Sequence, residues 1–330
     1  MSSRPQESAE VAHPDRRAPD FFIVGQPKSG TTALYETLRG HPEIFMPELK
    51  EPMFMASDLR AGLRRETVRA RPQTLAEYLA LFAPARPEQR AGEASALYLC
   101  SREAAANIAR LQPEARIVAI VREPASFLRS LHLQSLQDHN ETETDLRKAL
   151  ALEPERREGK RIPPQCPRPA ALFYSDYVRY VEQLRRYHSV FARQQVLVLI
   201  YDDFRADNEG TVRRVLRFLE VEGSQPIEVS EANASVRLRS KQLEDITQAV
   251  SAGRGPLMRV VKAPVKTLTS RRMRHGALRL ARRRLLYAAP PPPDDAVMLE
   301  LRRRFRAEVV ALGEYLGRDL VSLWGYGDID

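Results

Sequence analysis

The chain has 330 residues, with 52 lysines and arginines against 43 aspartates and glutamates, a formal net charge of +9. Hydrophobic residues at 43% are enough to bury a core, and charged residues at 29% with aromatics at 7% exclude wholesale disorder. Two cysteines, Cys100 and Cys166, exclude a disulfide framework or a cysteine-rich metal site, and no apolar run is long enough for a bilayer. The polar N-terminus has no apolar core of a secretory signal, so a cytoplasmic location is expected.

A basic balance suits nucleic acid, an anionic membrane or an acidic small ligand. Lysine occurs at only seven positions, so arginine supplies nearly all of the cations. That pattern reads as codon usage rather than as an arginine-rich nucleic-acid domain.

Residues 1–19 read as a disordered tail, and residues 20–330 as a single domain. Phe21 to Gly25 is a short apolar run, the pattern of a buried strand. A turn at 26–30 follows, and Thr31 to Arg39 has helical spacing, with Ala33, Leu34 and Leu38 on one face and Gly40-His41-Pro42 as the stop. Further helices are expected over Leu75 to Phe82 and Arg102 to Leu111, with a short strand at Gly92 to Ser95 between them. Arg116 to Arg122 is a second apolar strand, and Pro124 opens a helix carrying Leu128, Leu131 and Leu136. Glu153 to Pro169 holds five prolines and reads as a loop. Helices over Asp176 to Phe191 and Asn208 to Leu219 flank a third apolar strand, Gln195 to Tyr201. Ala296 to Leu316 is the last long helix. Buried strands alternating with helices predict an α/β, three-layer fold of the P-loop NTPase-like kind, with a central parallel sheet of about five strands.

Arg254 to Arg284 contains eleven cations and no acid, so the other 299 residues carry a net charge of −2. With the Pro290 to Pro293 spacer it reads as a basic helical insert. It is either a solvated face or a contact for a membrane surface or a carrier protein.

The segment Gly25-Gln26-Pro27-Lys28-Ser29-Gly30-Thr31-Thr32 carries the most chemistry. A strand, a glycine-containing turn and a helix start expose backbone N–H groups that form an anion nest. Lys28 adds a full charge and Thr31 and Thr32 add hydroxyl donors. It is not a Walker A loop, in which the lysine directly follows the last glycine.

Pro-Lys-Ser-Gly-Thr-Thr at 27–32 resembles the 5′-phosphosulfate loop of sulfotransferases that use 3′-phosphoadenosine 5′-phosphosulfate (PAPS). The resemblance extends to Arg122-Glu123-Pro124 with Ser130 eight residues after the arginine. It implies that Lys28, Ser29, Gly30, Thr31 and Thr32 hold the 5′-phosphate, that Arg122 and Ser130 hold the 3′-phosphate, and that 3′,5′-diphosphoadenosine (PAP) is the product, with no metal. An arginine fork matches a phosphate dianion. Tyr201, which ends the third strand and opens a Tyr-Asp-Asp sequence, reads equally as an adenine contact or a core aromatic. Arg237 and Arg239 are candidates for a basic loop over the donor.

Lys50-Glu51-Pro52-Met53-Phe54 is similar to the segment carrying the general base in the heparan sulfate branch of this family, which implies that Glu51 is the base. Cytosolic members use a histidine some twenty residues before the 3′-phosphate arginine, and Cys100 to Val121 contains none. Gly92 to Tyr98 resembles the family's Glu-Lys-Ser/Thr-Pro-x-Tyr segment, with Ala94 and Ala96 replacing its lysine and proline. Ser95 and Tyr98 remain as acceptor-side hydrogen-bonding candidates. The implied activity is O-sulfuryl transfer to a small molecule, glycan or lipid. Two rivals stay open: a Mg-ATP-dependent kinase using Asp202 or Asp203, and a non-catalytic nucleotide-binding protein that uses the basic segment for partners.

Overall fold

The computed structural model describes residues 17–60, 71–221 and 292–329, together with the backbone of two short strands at 237–238 and 287–288. The main sheet contains β1 (Phe21–Gly25), β2 (Ile44–Phe45), β3 (Arg90–Ala94), β4 (Arg116–Val121) and β5 (Val196–Ile200), in the spatial order β2-β3-β1-β4-β5. Every neighbouring pair is parallel. The fold is therefore the expected α/β architecture, with an all-parallel five-stranded sheet.

Alternate side chains of each strand enter opposite faces. Phe21, Ile23, Val118 and Ile120 pack with Leu34 and Leu38 of α1 (Thr31–Arg39) on one face. On the other, Phe22, Val24, Ile117 and Val121 pack with Ile108 of α2 (Ala104–Leu111), Leu128 of α3 (Pro124–Gln137) and Leu184 of α4 (Tyr180–His188). After β5 the chain forms α5 (Tyr201–Ala206) and α6 (Asn208–Phe218), and the latter adds Val212, Val215 and Leu216 to the α1 face. The long α7 (Asp295–Leu316) brings Leu301, Phe305, Val309 and Leu312 to the α3 face, and α8 (Leu320–Trp324) follows it. Helices on both faces are why β1, β4 and β5 read as near-continuous apolar runs in sequence, whereas β3 carries Arg90 and the buried Glu93.

Several boundaries differ from those expected. β2 was not anticipated, because two residues are too few for a periodic signal; its pairing with Arg90 and Ala91 defines it. Glu153 to Pro169 is not all loop: Glu153–Arg157 is helical, with Pro154 in its first turn, where a missing N–H costs nothing. The helix expected over 176–191 is broken into a turn at Tyr174–Tyr177 and α4. The break falls where the Tyr177 carbonyl accepts from Gln26 Nε2 (2.9 Å) and Gln183 Nε2 (3.1 Å). Tyr201 ends no strand; it starts α5.

The tail at 1–16, Arg239 and the basic segment 254–284 lie outside the described residues. Arg237 lies on β6 (Arg237–Leu238), whose backbone pairs antiparallel with β7 (Tyr287–Ala288). Among the described residues no helix is long and apolar enough to cross a membrane.

Between β3 and β4 the chain crosses from one side of β1 to the other. That makes the C-terminal end of β1 the topological switch point, where parallel α/β sheets bind ligands.

Candidate active site

β1 exits at Gly25 into the phosphate-type loop. Gln26 is fully buried and its N–H donates to Ile120 O at 2.6 Å, which ties the loop to β4. Lys28 adopts φ 61°, and Gly30 caps α1 in the left-handed region at φ 87°. A Cβ on Gly30 would lie 3.0 Å from the Phe204 ring, so the turn needs glycine on both counts. The backbone ladder of α1 begins with Leu34 N–H donating to Gly30 O (3.0 Å). The N–H groups ahead of it have no carbonyl one turn back, the arrangement at a helix start that can receive an anion.

α3 supplies the opposite wall. Its start is fixed by Glu123, whose carboxylate accepts from Ala125 N (3.0 Å), Ser126 N (2.6 Å) and Tyr326 Oη (2.5 Å). Arg122, one residue earlier, donates to Lys28 O at 2.8 Å and lies 4.6 Å over the Tyr201 ring. Its own carbonyl accepts from Tyr180 Oη at 2.8 Å. Lys28 Nζ reaches across to Gln134 Oε1 at 3.1 Å. Burial, and then the Arg122 charge, hold the Lys28 pKa below the ordinary lysine value, with Asp138 pulling the other way. An anion bound between Lys28 and Arg122 would offset both the burial and the repulsion.

These groups enclose a cavity of about 640 Å³ whose lining includes Lys28, Gly30, Thr31, Thr32, Glu51, Arg122, Ser130 and Tyr201. Residues far apart in sequence thus meet at one place. Ser29 does not line it; its side chain is buried and donates to Pro27 O at 3.4 Å. Glu51 enters from the segment after β2, with φ 58° and its N–H donating to Ala94 O (3.0 Å). Lys50 links the two halves: its Nζ donates to Thr32 Oγ1 at 2.6 Å and lies 3.7 Å from Glu51 Oε1.

Ser95 and Tyr98 are fully buried and do not line the cavity. Ser95 Oγ accepts from Met53 N (3.2 Å), and Tyr98 Oη accepts from Met55 N (3.1 Å) and donates to Glu93 Oε2 (2.8 Å). They support the Glu51 segment from beneath. Asp202 and Asp203 also lie outside the cavity lining: Asp202 accepts from Trp324 Nε1 (2.9 Å), and Asp203 is paired with Arg318. Among the described residues no group of three or more His, Cys, Asp or Glu side chains is placed to hold a metal.

The cavity also includes Arg129, Gln134, Asp138, Arg168 and Tyr177, none of them singled out from sequence. Gln134 had a signal, since it lies one helical turn after Ser130 on the face that Ser130 marks. Arg168 had none, because it comes from an irregular segment. Its Nη1 is buried with no partner among the described residues.

A parallel sheet with a helix start at its switch point, faced by a second wall carrying Arg122 and Arg129, is a site of the kind that binds phosphate-bearing anions. The model of the sulfotransferase family matches residues 19–225, and the chain belongs to that family. It is 28% identical over 261 residues to human carbohydrate sulfotransferase 15, covering 62% of this chain and 44% of that protein. It is 31% identical over 121 residues to human heparan sulfate glucosamine 3-O-sulfotransferase 6, covering 37% and 32%. The chain therefore spans less than half the length of these curated relatives. A sulfotransferase structure from Alicyclobacillus acidocaldarius superposes with a TM-score of 0.57 at 27% identity, covering 74% of this chain and 96% of that one.

Proposed function

We propose that this sulfotransferase moves the sulfuryl group of PAPS to a hydroxyl of its acceptor, with Glu51 as general base. The acceptor oxygen attacks sulfur as its proton passes to Glu51. The bond from sulfur to the 5′-phosphate oxygen breaks, and PAP leaves with the bonding pair. Lys28 and the N–H groups at the start of α1 stabilise the charge that grows on that oxygen. Arg122 and Ser130 hold the 3′-phosphate, and Tyr201 flanks the adenine. The observation that carries this reading is the meeting of Glu51, Lys28, Thr31, Thr32, Arg122 and Ser130 around one cavity. Glu51 enters from the segment after β2, while the cavity's other carboxylate, Asp138, lies on the α3 wall beside Lys28; a carboxylate opposite that wall suits proton removal next to an anionic donor. The names of the two human relatives, which specify carbohydrate and 3-O transfer, support a hydroxyl acceptor.

Calorimetric titration of the full chain tests the donor. PAP is expected to bind without Mg²⁺, and Arg122→Ala to weaken it by about 1.5–3 kcal/mol, the range for a hydrogen bond to a charged group. Binding of Mg-ATP with none of PAP overturns the reading. For the base, labelled PAPS offered to a panel of hydroxylated acceptors should give turnover that Glu51→Gln lowers by about 10²–10⁴-fold, with PAP affinity retained.

A further inference from the structure

Glu93, the fourth residue of β3, has a side chain with no access to solvent. Its Oε2 accepts from Tyr78 Oη and from Tyr98 Oη, both at 2.8 Å. Its Oε1 has no partner among the described residues. A buried carboxyl with one bare oxygen is costly to hold, and such groups call for an explanation.

The explanation lies in what its partners do next. Tyr98 Oη, while donating to Glu93, accepts the N–H of Met55 (3.1 Å). Ser95 Oγ accepts the N–H of Met53 (3.2 Å), and Ala94 O accepts the N–H of Glu51 (3.0 Å). Residues 51, 53 and 55 are therefore laid in step along the 94–98 segment, by backbone donors alone. The segment needs that mould, because Glu51 and Met53 both sit at positive φ, 58° and 59°. Tyr78 shares the carboxyl oxygen but makes no hydrogen bond to this segment; its ring stacks on Phe54 at 4.7 Å.

We propose that Glu93 is a positioning residue for Glu51: through Tyr98, and with Ser95, it fixes the backbone of residues 51–55 so that the Glu51 carboxylate faces the donor. The proposal rests on Glu51 as the base. The groups facing Glu93 are Tyr78, from the helix at Leu75–Ala80, Ser95 and Tyr98, from the turn after β3, and at longer range Glu51 and Tyr187 of α4. None is a cation. Burial therefore dominates and pushes the Glu93 carboxyl up to about 7, against the hydroxyls of Ser95, Tyr78 and Tyr98. The ionised form is the stronger acceptor, so Tyr98 is held most firmly above that pH.

The test is amide hydrogen exchange of the 50–56 peptide in the full chain, alongside hydrolysis of labelled PAPS, in which water stands in for the acceptor. Glu93→Gln and Tyr98→Phe are expected to speed exchange at Met53 and Met55 about tenfold and to lower kcat by about 10- to 100-fold, with PAP affinity within about twofold of wild type. Tyr78→Phe keeps the stacked ring and loses only a hydroxyl, and both readouts should stay near wild type. The rise of wild-type kcat through pH about 7 should be missing from Glu93→Gln. Wild-type exchange and wild-type pH profile in Glu93→Gln overturn the proposal. So do equal effects of Tyr78→Phe and Tyr98→Phe, which would mark core packing alone; this pair also decides if Glu93→Gln does not fold. Glu51→Gln separates the two claims: it should keep the 50–56 protection and lose turnover. If it keeps turnover, the base assignment fails while the exchange result stands.

Discussion

Lys28 sits where three demands meet: a strained backbone at φ 61°, a hydrogen bond to Gln134, and a charge beside Arg122. A lysine held against another cation gains most when an anion arrives, and most of all when that anion gains charge in the transition state. Lys28→Ala is expected to lower kcat by about 10²–10³-fold in the labelled-PAPS assay. Gly30 is the second residue with no substitute. In Gly30→Ala the left-handed backbone alone costs about 1–2 kcal/mol, measurable by urea unfolding, and the contact with Phe204 would shift the 26–30 loop, proposed above to hold the 5′-phosphate. Both residues were legible in sequence, because turn chemistry and charge are local. The place of Ser95 and Tyr98 was not. A hydroxyl beside a motif reads the same whether it faces a ligand or a neighbouring backbone N–H.

Among elements, the segment from 140 to 157 shows how a stretch without strong periodicity is held. Arg156 and Glu141 are both buried and form a two-pronged pair, Nη1 to Oε2 and Nη2 to Oε1 at 2.8 Å each. Tyr174 Oη adds a bond to Oε2 at 3.0 Å, and the N–H groups of Thr142 and Glu143 reach Oε1 at 2.7 and 2.9 Å. Burial pushes the Glu141 carboxyl up, but the guanidinium and the two N–H groups outweigh it and leave the pKa below the usual value. Removing one partner strands the other charge. Glu141→Gln is expected to lower the unfolding free energy by about 3–5 kcal/mol in a denaturant titration. In sequence, the prolines of 153–169 hid the short helix at Glu153–Arg157, since proline signals a break yet fits a first turn equally well.

For the molecule as a whole, the buried Glu93 links stability to pH. Its raised pKa means that, between about 4.5 and 7, the folded chain holds a proton that the unfolded chain has released. Its contribution to stability is complete below about pH 4.5 and is lost as the pH rises through about 7. Glu93→Gln, neutral at every pH, should therefore gain on wild type as the pH rises, by a difference on the order of 3 kcal/mol at pH 8. Thermal unfolding of the two chains across that range would show it. The stability gain and the kcat loss would then have one origin, a carboxylate that is costly to bury and useful when ionised.

Sequence by itself determined the α/β class, four of the five strands, the helix starts at Thr31 and Pro124, and the residue types of the phosphate loop. These follow from short-range rules: apolar period, turn glycine and proline, and charge at a helix start. Tertiary structure decided what depends on long-range meeting. It added β2 as a two-residue edge, brought Arg168 and Gln134 into the cavity, and put the Tyr98 hydroxyl on the Met55 backbone rather than in the cavity lining. The sheet made that difference. Parallel strands bring segments dozens of residues apart to a common edge, and which side chain faces the cavity there depends on register across strands, a quantity no single stretch of sequence contains.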